Sequence, residues 1–248
     1  MTIRPVIGVL AGCGGAGASL FAAVLAGCAA ERDGHAFLID CDPPAGGIDV
    51  LLGCEKLPGP RWGQVRLAGG MLDPAVLSDS LPRWQQVSFL AADSAAPLDP
   101  TAVELVLAAA GSLSVVVLDL PRTPAEAARA AMRRCDLTVL VTVAEVRAVT
   151  AAAMVAAGLD PRRTVVLVRG SSRSLPPRHI GELLGVPVLG ELPFSAAGSR
   201  PGGLRFEQIR RRTRRLAHTV LVAAEPDGDQ ASDESAGDPV RPGGSSAA

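Results

Sequence analysis

The chain has 248 residues, 48% hydrophobic and 20% charged, with a formal net charge of −1. It is long enough to bury one sizeable core, and its charge is too balanced for a global field that would favour nucleic acid or membrane. Aromatic residues make up 3% and tyrosine is absent, which excludes a base-stacking platform and with it specific nucleic-acid binding.

Arginine outnumbers lysine 23 to 1, and the one lysine is Lys56. The five cysteines form no C-x-x-C pair and read as free thiols of a reducing compartment. His35, His179 and His218 are scattered, so no metal cluster is expected. The first residues carry no signal-peptide pattern. The longest apolar stretches, Leu20–Ala30 and Ala148–Leu159, are too short to span a bilayer. A cytoplasmic location follows as the expectation.

Pro5–Leu10 reads as a buried strand, followed by a glycine-rich loop and a helix over Ala18–Glu31. Further strands are expected at Ala36–Asp40, Val87–Ala91, Ser114–Leu120, Leu137–Val143, Thr164–Arg169 and Val186–Leu189. Several are continuous apolar runs, as required when both faces of a sheet are covered. Cys54–Asp73, rich in Gly and Pro, reads as an irregular insertion. Helices are expected over Pro100–Ala110, from Thr123, over Glu145–Ala157 and over Pro177–Leu184. The start at Thr123 rests on Thr123 as N-cap, Pro124 at the first position and Glu126 closing a capping box. Leu204–Ala224 reads as a last helix with Phe206, Ile209, Leu216 and Val220 on one stripe. From Glu225 the composition turns acidic and polar and predicts disorder. The alternation of strand and helix predicts an α/β fold: a doubly wound, mainly parallel sheet flanked by helices, which binds ligands at the carboxyl ends of its strands. One domain over 1–224 and an acidic tail over 225–248 are expected.

The glycine-rich loop reads Gly12-Cys13-Gly14-Gly15-Ala16-Gly17-Ala18-Ser19. Between a strand and a helix, such a loop turns backbone N–H groups and the positive helix end toward a phosphate. In a P-loop, lysine precedes the Ser/Thr and reaches the β- and γ-phosphates; here that place is held by Ala18. The cradle Gly14, Gly15, Ala16, Gly17, Ala18 and Ser19 is thus present without its charged arm. Ser19 stands where a P-loop holds Mg²⁺. Asp40 and Asp42 end the second strand and could orient a water or bind Mg²⁺ through its waters. Asp119 ends the run Val115–Leu118, the arrangement in which a carboxylate near phosphate is tolerated through a cation. The same glycines satisfy G-x-G-x-x-G, with Asp40 lying 23 residues past Gly17, which leaves open a dinucleotide-binding oxidoreductase using NAD. Strand order separates the two: a P-loop sheet places the Asp119 strand beside the first strand.

The basic run counts six arginines against Glu207 between Arg205 and His218, a local charge of +5. A solvated helix face is one reading. Contact with an anionic partner or with headgroups on the inner face of the membrane is the other.

These motifs together resemble the MinD/ParA family. Gly14–Ser19 resembles its deviant Walker A, with Cys13 and Ala18 where both lysines would stand. Leu38–Asp42 with Gly47–Gly53 resembles its second motif, Val117–Pro121 its Walker B, and Leu183–Pro193 its late Gly-x-Pro segment. Within the family the loop, Gly59-Pro60-Arg61-Trp62 and Val168-Arg169-Gly170 are similar to the actinobacterial septum site-determining (Ssd) group, also described as CpaE/TadZ-like. The resemblance begins at about Pro5; members of that group often carry a receiver-like domain ahead of it. The adenine-contacting Asn of the family would fall near Val168 and is missing. The resemblance implies septum-site determination or polar placement of a pilus or secretion machine, with a cell-division or secretion partner and a possible homodimer. It further implies weak binding of ATP or ADP with Mg²⁺, little or no hydrolysis, and Asp42 as a vestigial catalytic position. Ser19, Asp40 and Asp119 are the Mg²⁺ candidates. A working ATPase, its missing lysine supplied by an arginine, is the alternative within the family.

Overall fold

A computed structural model describes residues 4–65, 71–93, 96–170, 175–193 and 206–225. The acidic tail beyond Glu225 lies outside these residues.

Eight strands are described: β1 (Val6–Ala11), β2 (Ala36–Asp40), β3 (Arg83–Trp84), β4 (Val87–Leu90), β5 (Val115–Leu120), β6 (Leu137–Val143), β7 (Thr164–Arg169) and β8 (Val188–Leu192). They form one sheet in the order β3-β4-β2-β5-β1-β6-β7-β8. Every pairing is parallel except that of β3 with β4. Eight α-helices lie among the described residues: α1 (Ala18–Asp33), α2 (Ile48–Leu52), α3 (Pro74–Ser80), α4 (Pro100–Leu113), α5 (Glu126–Arg133), α6 (Val146–Ala156), α7 (Pro177–Leu184) and α8 (Phe206–Ala223).

The apolar runs explain the layering. All residues of β2, β4 and β5 are buried, so each strand feeds two cores through its alternate side chains. Ile7, Val9, Leu38, Val117, Val139 and Leu167 face one layer with α1 and α8. Leu10, Phe37, Ile39, Leu118, Leu140 and Val166 face the other, under α3 to α7. α1 is apolar and buried on nearly every side, as a helix sandwiched between a sheet and a second helix must be. That second helix is α8: Val220 is fully buried and Leu216 packs on the same layer. Gly190 of β8 makes room for it, since a Cβ there would lie 2.6 Å from Leu216 Cδ1. The side chains of Phe206 and Ile209 lie outside the described residues.

Three expectations change. The capping box at Thr123 does not form: α5 begins at Glu126 behind Ala125, which caps it with no side chain. The strand expected at Val186–Leu189 runs instead over Val188–Leu192. Pro187 has no N–H for the ladder, and the register slips so that Val166 and Leu167 face Val188 and Gly190. The stretch before β4 holds more structure than expected, with α2, α3 and the short antiparallel β3. α3 has a readable start in Asp73-Pro74: the Asp73 carboxylate accepts from the N–H groups of Ala75 and Val76.

A buried ion pair anchors the Gly/Pro-rich insertion. Arg61 and Asp49 are 9% and 7% exposed and join Nε to Oδ2 at 2.9 Å. Arg61 also donates to the carbonyl of Gly59 at 3.0 Å and stacks 5.6 Å over the Phe89 ring. Removing one partner strands the other charge in a place without water. Arg61→Ala is expected to cost about 3–5 kcal/mol, read as a lowered denaturation midpoint in urea. A loss below about 1 kcal/mol, the range of exposed pairs, would mean that water reaches the pair.

Candidate functional site

β1 lies between β5 and β6, so its carboxyl end, and the loop that leaves it, sit at the middle of the sheet edge. The loop is fixed at both ends. The Gly12 N–H donates to the carbonyl of Val141 at 2.8 Å, and a Cβ on Gly12 would lie 2.6 Å from the Ala152 Cβ of α6. Gly17 takes φ 97° and ψ 24° where the chain enters α1, a left-handed conformation that side chains resist. Between these points the chain is open: Gly14 and Gly15 are exposed, and a Cβ on either would meet nothing within 4 Å.

The N–H groups of the loop decide what it can hold. Ala16 donates back to Cys13 at 3.3 Å and Phe21 to Gly17 at 3.0 Å. Among the described residues, those of Gly14, Gly15, Gly17, Ala18 and Ser19 find no backbone acceptor. Unclaimed donors converging at a helix N-terminus fit an anion, and a phosphate in particular. Ala18 is 5% exposed and packed into the core under α1. Cys13 is half-buried beside the open glycines, whereas the other four cysteines are buried.

The expected acids come together. Asp40 and Asp119 are register partners on β2 and β5, and both are buried. Ser19, at the start of α1, lies close enough to the Asp119 carboxyl to favour its ionised form. Burial, then the charge of Asp40, pushes the Asp119 pKa up to about 8, and the Ser19 hydroxyl pulls against that rise. Asp42 is half-buried and also raised, first by burial and then by Asp40.

Asp40 is held by backbone N–H groups. Its Oδ1 accepts the Asp42 N–H at 2.9 Å, and its Oδ2 accepts those of Ile48 at 3.0 Å and Ala92 at 3.3 Å. Its own carbonyl accepts the Trp62 indole N–H at 2.6 Å. Burial raises its pKa while the three backbone donors lower it. With both oxygens engaged by the backbone, Asp40 organises the loops around it. Ser19 and Asp119 form a facing pair beneath the loop, with Asp42 beside them.

One residue not singled out as a site candidate reaches the loop. Arg169, the last residue of β7, donates from Nη1 to the Gly15 carbonyl at 2.6 Å. Its sequence signals were a strand-end position beside Gly170 and the likeness of Val168-Arg169-Gly170 to the Ssd group.

The strand order excludes the dinucleotide-binding reading: β5 lies between β1 and β2, as the P-loop alternative requires.

The raised pKa of Asp119 has a consequence for stability. The folded chain keeps this proton to about pH 8, whereas the ordinary value is 3.8. The folded state therefore binds more protons across that window, and stability falls as pH rises through it. Asp119→Asn is expected to flatten this fall and to raise stability at about pH 9 by about 1–3 kcal/mol. Urea melts of both proteins across the window check it; parallel pH profiles would mean that Asp119 is ionised in the fold throughout.

No family model matches the chain. It is 40% identical over 211 residues to uncharacterized proteins of two Mycobacterium tuberculosis strains. The match takes in 82% of this chain and 59% of those relatives, so the chain spans little more than half their length. Among solved structures it is similar to a ParA family ATPase of Chlorobium tepidum, with a TM-score of 0.73 at 18% identity, covering 89% of this chain and 97% of that one. The MinD of the Aquifex aeolicus MinC:MinD cell division complex matches with a TM-score of 0.65 at 18% identity, over 89% of this chain and 93% of that one. The septum site-determining protein MinD of Pyrococcus horikoshii, complexed with Mg-ADP, matches with a TM-score of 0.64 at 18% identity, over 90% and 99%. Strand order, loop placement and these likenesses together establish that the chain has the MinD/ParA P-loop NTPase fold.

Proposed function

We propose that this chain is a degenerate member of the MinD/ParA family that binds ATP or ADP weakly and turns it over slowly or not at all. The carrying observation is a loop of unclaimed N–H groups above Ser19 and Asp119, with Ala18 in the lysine's place. Gly14–Ser19 would hold the phosphates through the backbone, which needs no side-chain charge. Ser19, Asp40 and Asp119, with Asp42 beside them, would face Mg²⁺, whose charge offsets that of the phosphates when nucleotide is bound. The role is positional, in septum-site determination or polar placement of a pilus or secretion machine, through a partner protein and with a homodimer as one available form. The similarity of the loop, Gly59–Trp62 and Val168–Gly170 to the Ssd group, CpaE/TadZ-like, supports this reading. So does the MinC:MinD complex seen for one structural relative.

Loss of one charge-assisted contact lowers affinity by about 10- to 150-fold, or about 1.5–3 kcal/mol. Loss of an electrostatic donor in the transition state costs about 10²–10³ in rate. Calorimetry with ATP and ADP, with and without Mg²⁺, is expected to show weak binding that Ala18→Lys tightens by at least about tenfold. Turnover is expected to stay negligible. Ordinary ATPase rates abolished by Asp42→Ala would instead establish the working enzyme. No gain in Ala18→Lys, together with no binding by the unaltered chain, would show that the loop is collapsed or is not a phosphate cradle.

The basic helix supports a second contact. Arg211, Arg212, Arg214 and Arg215 are exposed. Arg214 has Glu31 at 4.0 Å, while Glu225 pairs instead with Arg32 at 2.8 Å. No helix among the described residues is long and apolar enough to cross a membrane. The proposed contact is peripheral: the arginine face meets anionic headgroups, each Arg contributing about 1 kcal/mol, and the acidic tail competes for it. Deleting residues 226–248 is expected to strengthen co-sedimentation with anionic liposomes at low salt. If the shortened protein stays in the supernatant even then, the face is simply solvated.

A further inference from the structure

The cation missing from the loop returns from elsewhere in the chain. β7 lies two strands from β1, about 10 Å away at the usual strand spacing. The Arg169 side chain crosses the end of β6 to reach the Gly15 carbonyl at 2.6 Å. A guanidinium carries five N–H donors in a rigid plane. One is committed to Gly15, and the others have no acceptor among the described residues. Arg169 is only half-buried, and beside it Gly14 and Gly15 leave open space. A positive group with spare donors is thus held, pointing at the rim of a loop whose own N–H groups are unclaimed. Both sets of donors suit the same kind of ligand, a polyanion with several acceptor oxygens, which Arg binds in bidentate fashion.

We propose that Arg169 is the phosphate-binding cation of this site, taking over from β7 the charge that Ala18 lacks. It draws the terminal phosphates of a nucleoside di- or triphosphate onto the loop. This rests on the nucleotide reading above. It also makes binding depend on β7, so the ligand ties the β6–β7 side of the sheet to the β1–α1 turn.

The full chain is titrated by calorimetry with ATP and, separately, with inorganic tripolyphosphate. Arg169→Gln keeps a donor for the Gly15 carbonyl and removes the charge. It is expected to weaken both ligands by about 10- to 150-fold. Adding Ala18→Lys to that variant returns a charge from the loop's own position and is expected to recover most of the loss. Wild-type affinity in Arg169→Gln overturns the proposal and leaves Arg169 a clip for the loop. Weakened ATP with unchanged tripolyphosphate places Arg169 at the base or sugar and also overturns it. So does a loss that a folded double variant fails to recover. If the double variant does not fold, Arg169→Lys decides: it keeps a charge and is expected to bind both ligands more tightly than Arg169→Gln, and equal weakness overturns the proposal. If the wild-type chain binds neither ligand, the nucleotide reading falls and this inference with it; in every other outcome the nucleotide reading stands.

Discussion

Three backbone N–H groups converge on the buried carboxylate of Asp40, and the layer of loops above the sheet depends on that convergence. The donors belong to the turn after β2, the start of α2 and the segment after β4. Each would otherwise be an unpaired polar group at the edge of a core, at a cost of about 1–3 kcal/mol. The Asp40 carbonyl then fixes Trp62, and Trp62 brings Arg61 to Asp49 and Phe89. One carboxylate thus seeds a chain of contacts that turns an insertion rich in glycine and proline into a defined wall beside the loop.

That arrangement has an electrostatic effect on its neighbour. Asp119 stands opposite Asp40 across two hydrogen-bonded strands, out of water and without a lysine from the loop. Two buried like charges side by side disfavour ionisation, and Ser19 offsets this only in part. In a P-loop with its lysine, the fixed positive charge would share the task. Here the acids meet no cation from the loop itself, and the described arginine that approaches, Arg169, touches the loop's outer rim.

The sheet and its loop were legible because their signals are local. Continuous apolar runs ending in Asp marked β2 and β5, and Gly14–Ser19 marked the turn between β1 and the core helix α1. Ser19 and Asp119, a hundred positions apart in sequence, meet because α1 starts just past the carboxyl end of β1 and Asp119 sits near the carboxyl end of the neighbouring β5. Other features depend on partners that no window contains. The pairing of Arg61 with Asp49 comes from the fold of the insertion, and Arg169 gains its meaning only because β7 enters the sheet two places from β1. Asp40 was recognised as important, but the backbone N–H groups that it accepts come from segments far apart in sequence, Asp42, Ile48 and Ala92. Thr123-Pro124 carried a sound helix-start pattern that the turn after β5 overrode. Pro187 broke the ladder where apolar residues alone implied a strand.

The distribution of thiols turns the loop into its own reporter. Cys41 and Cys135 are sealed in the core, where burial lifts their pKa values, that of Cys135 to about 12, and Cys54 is raised as well, by burial first. Cys28 is buried within α1. Alkylation needs an accessible thiolate, so a thiol reagent applied to the folded chain addresses Cys13, next to the open glycines, ahead of the rest. A fluorophore placed there on the native sequence would sense whatever enters the loop, with no cysteine needing to be added or removed.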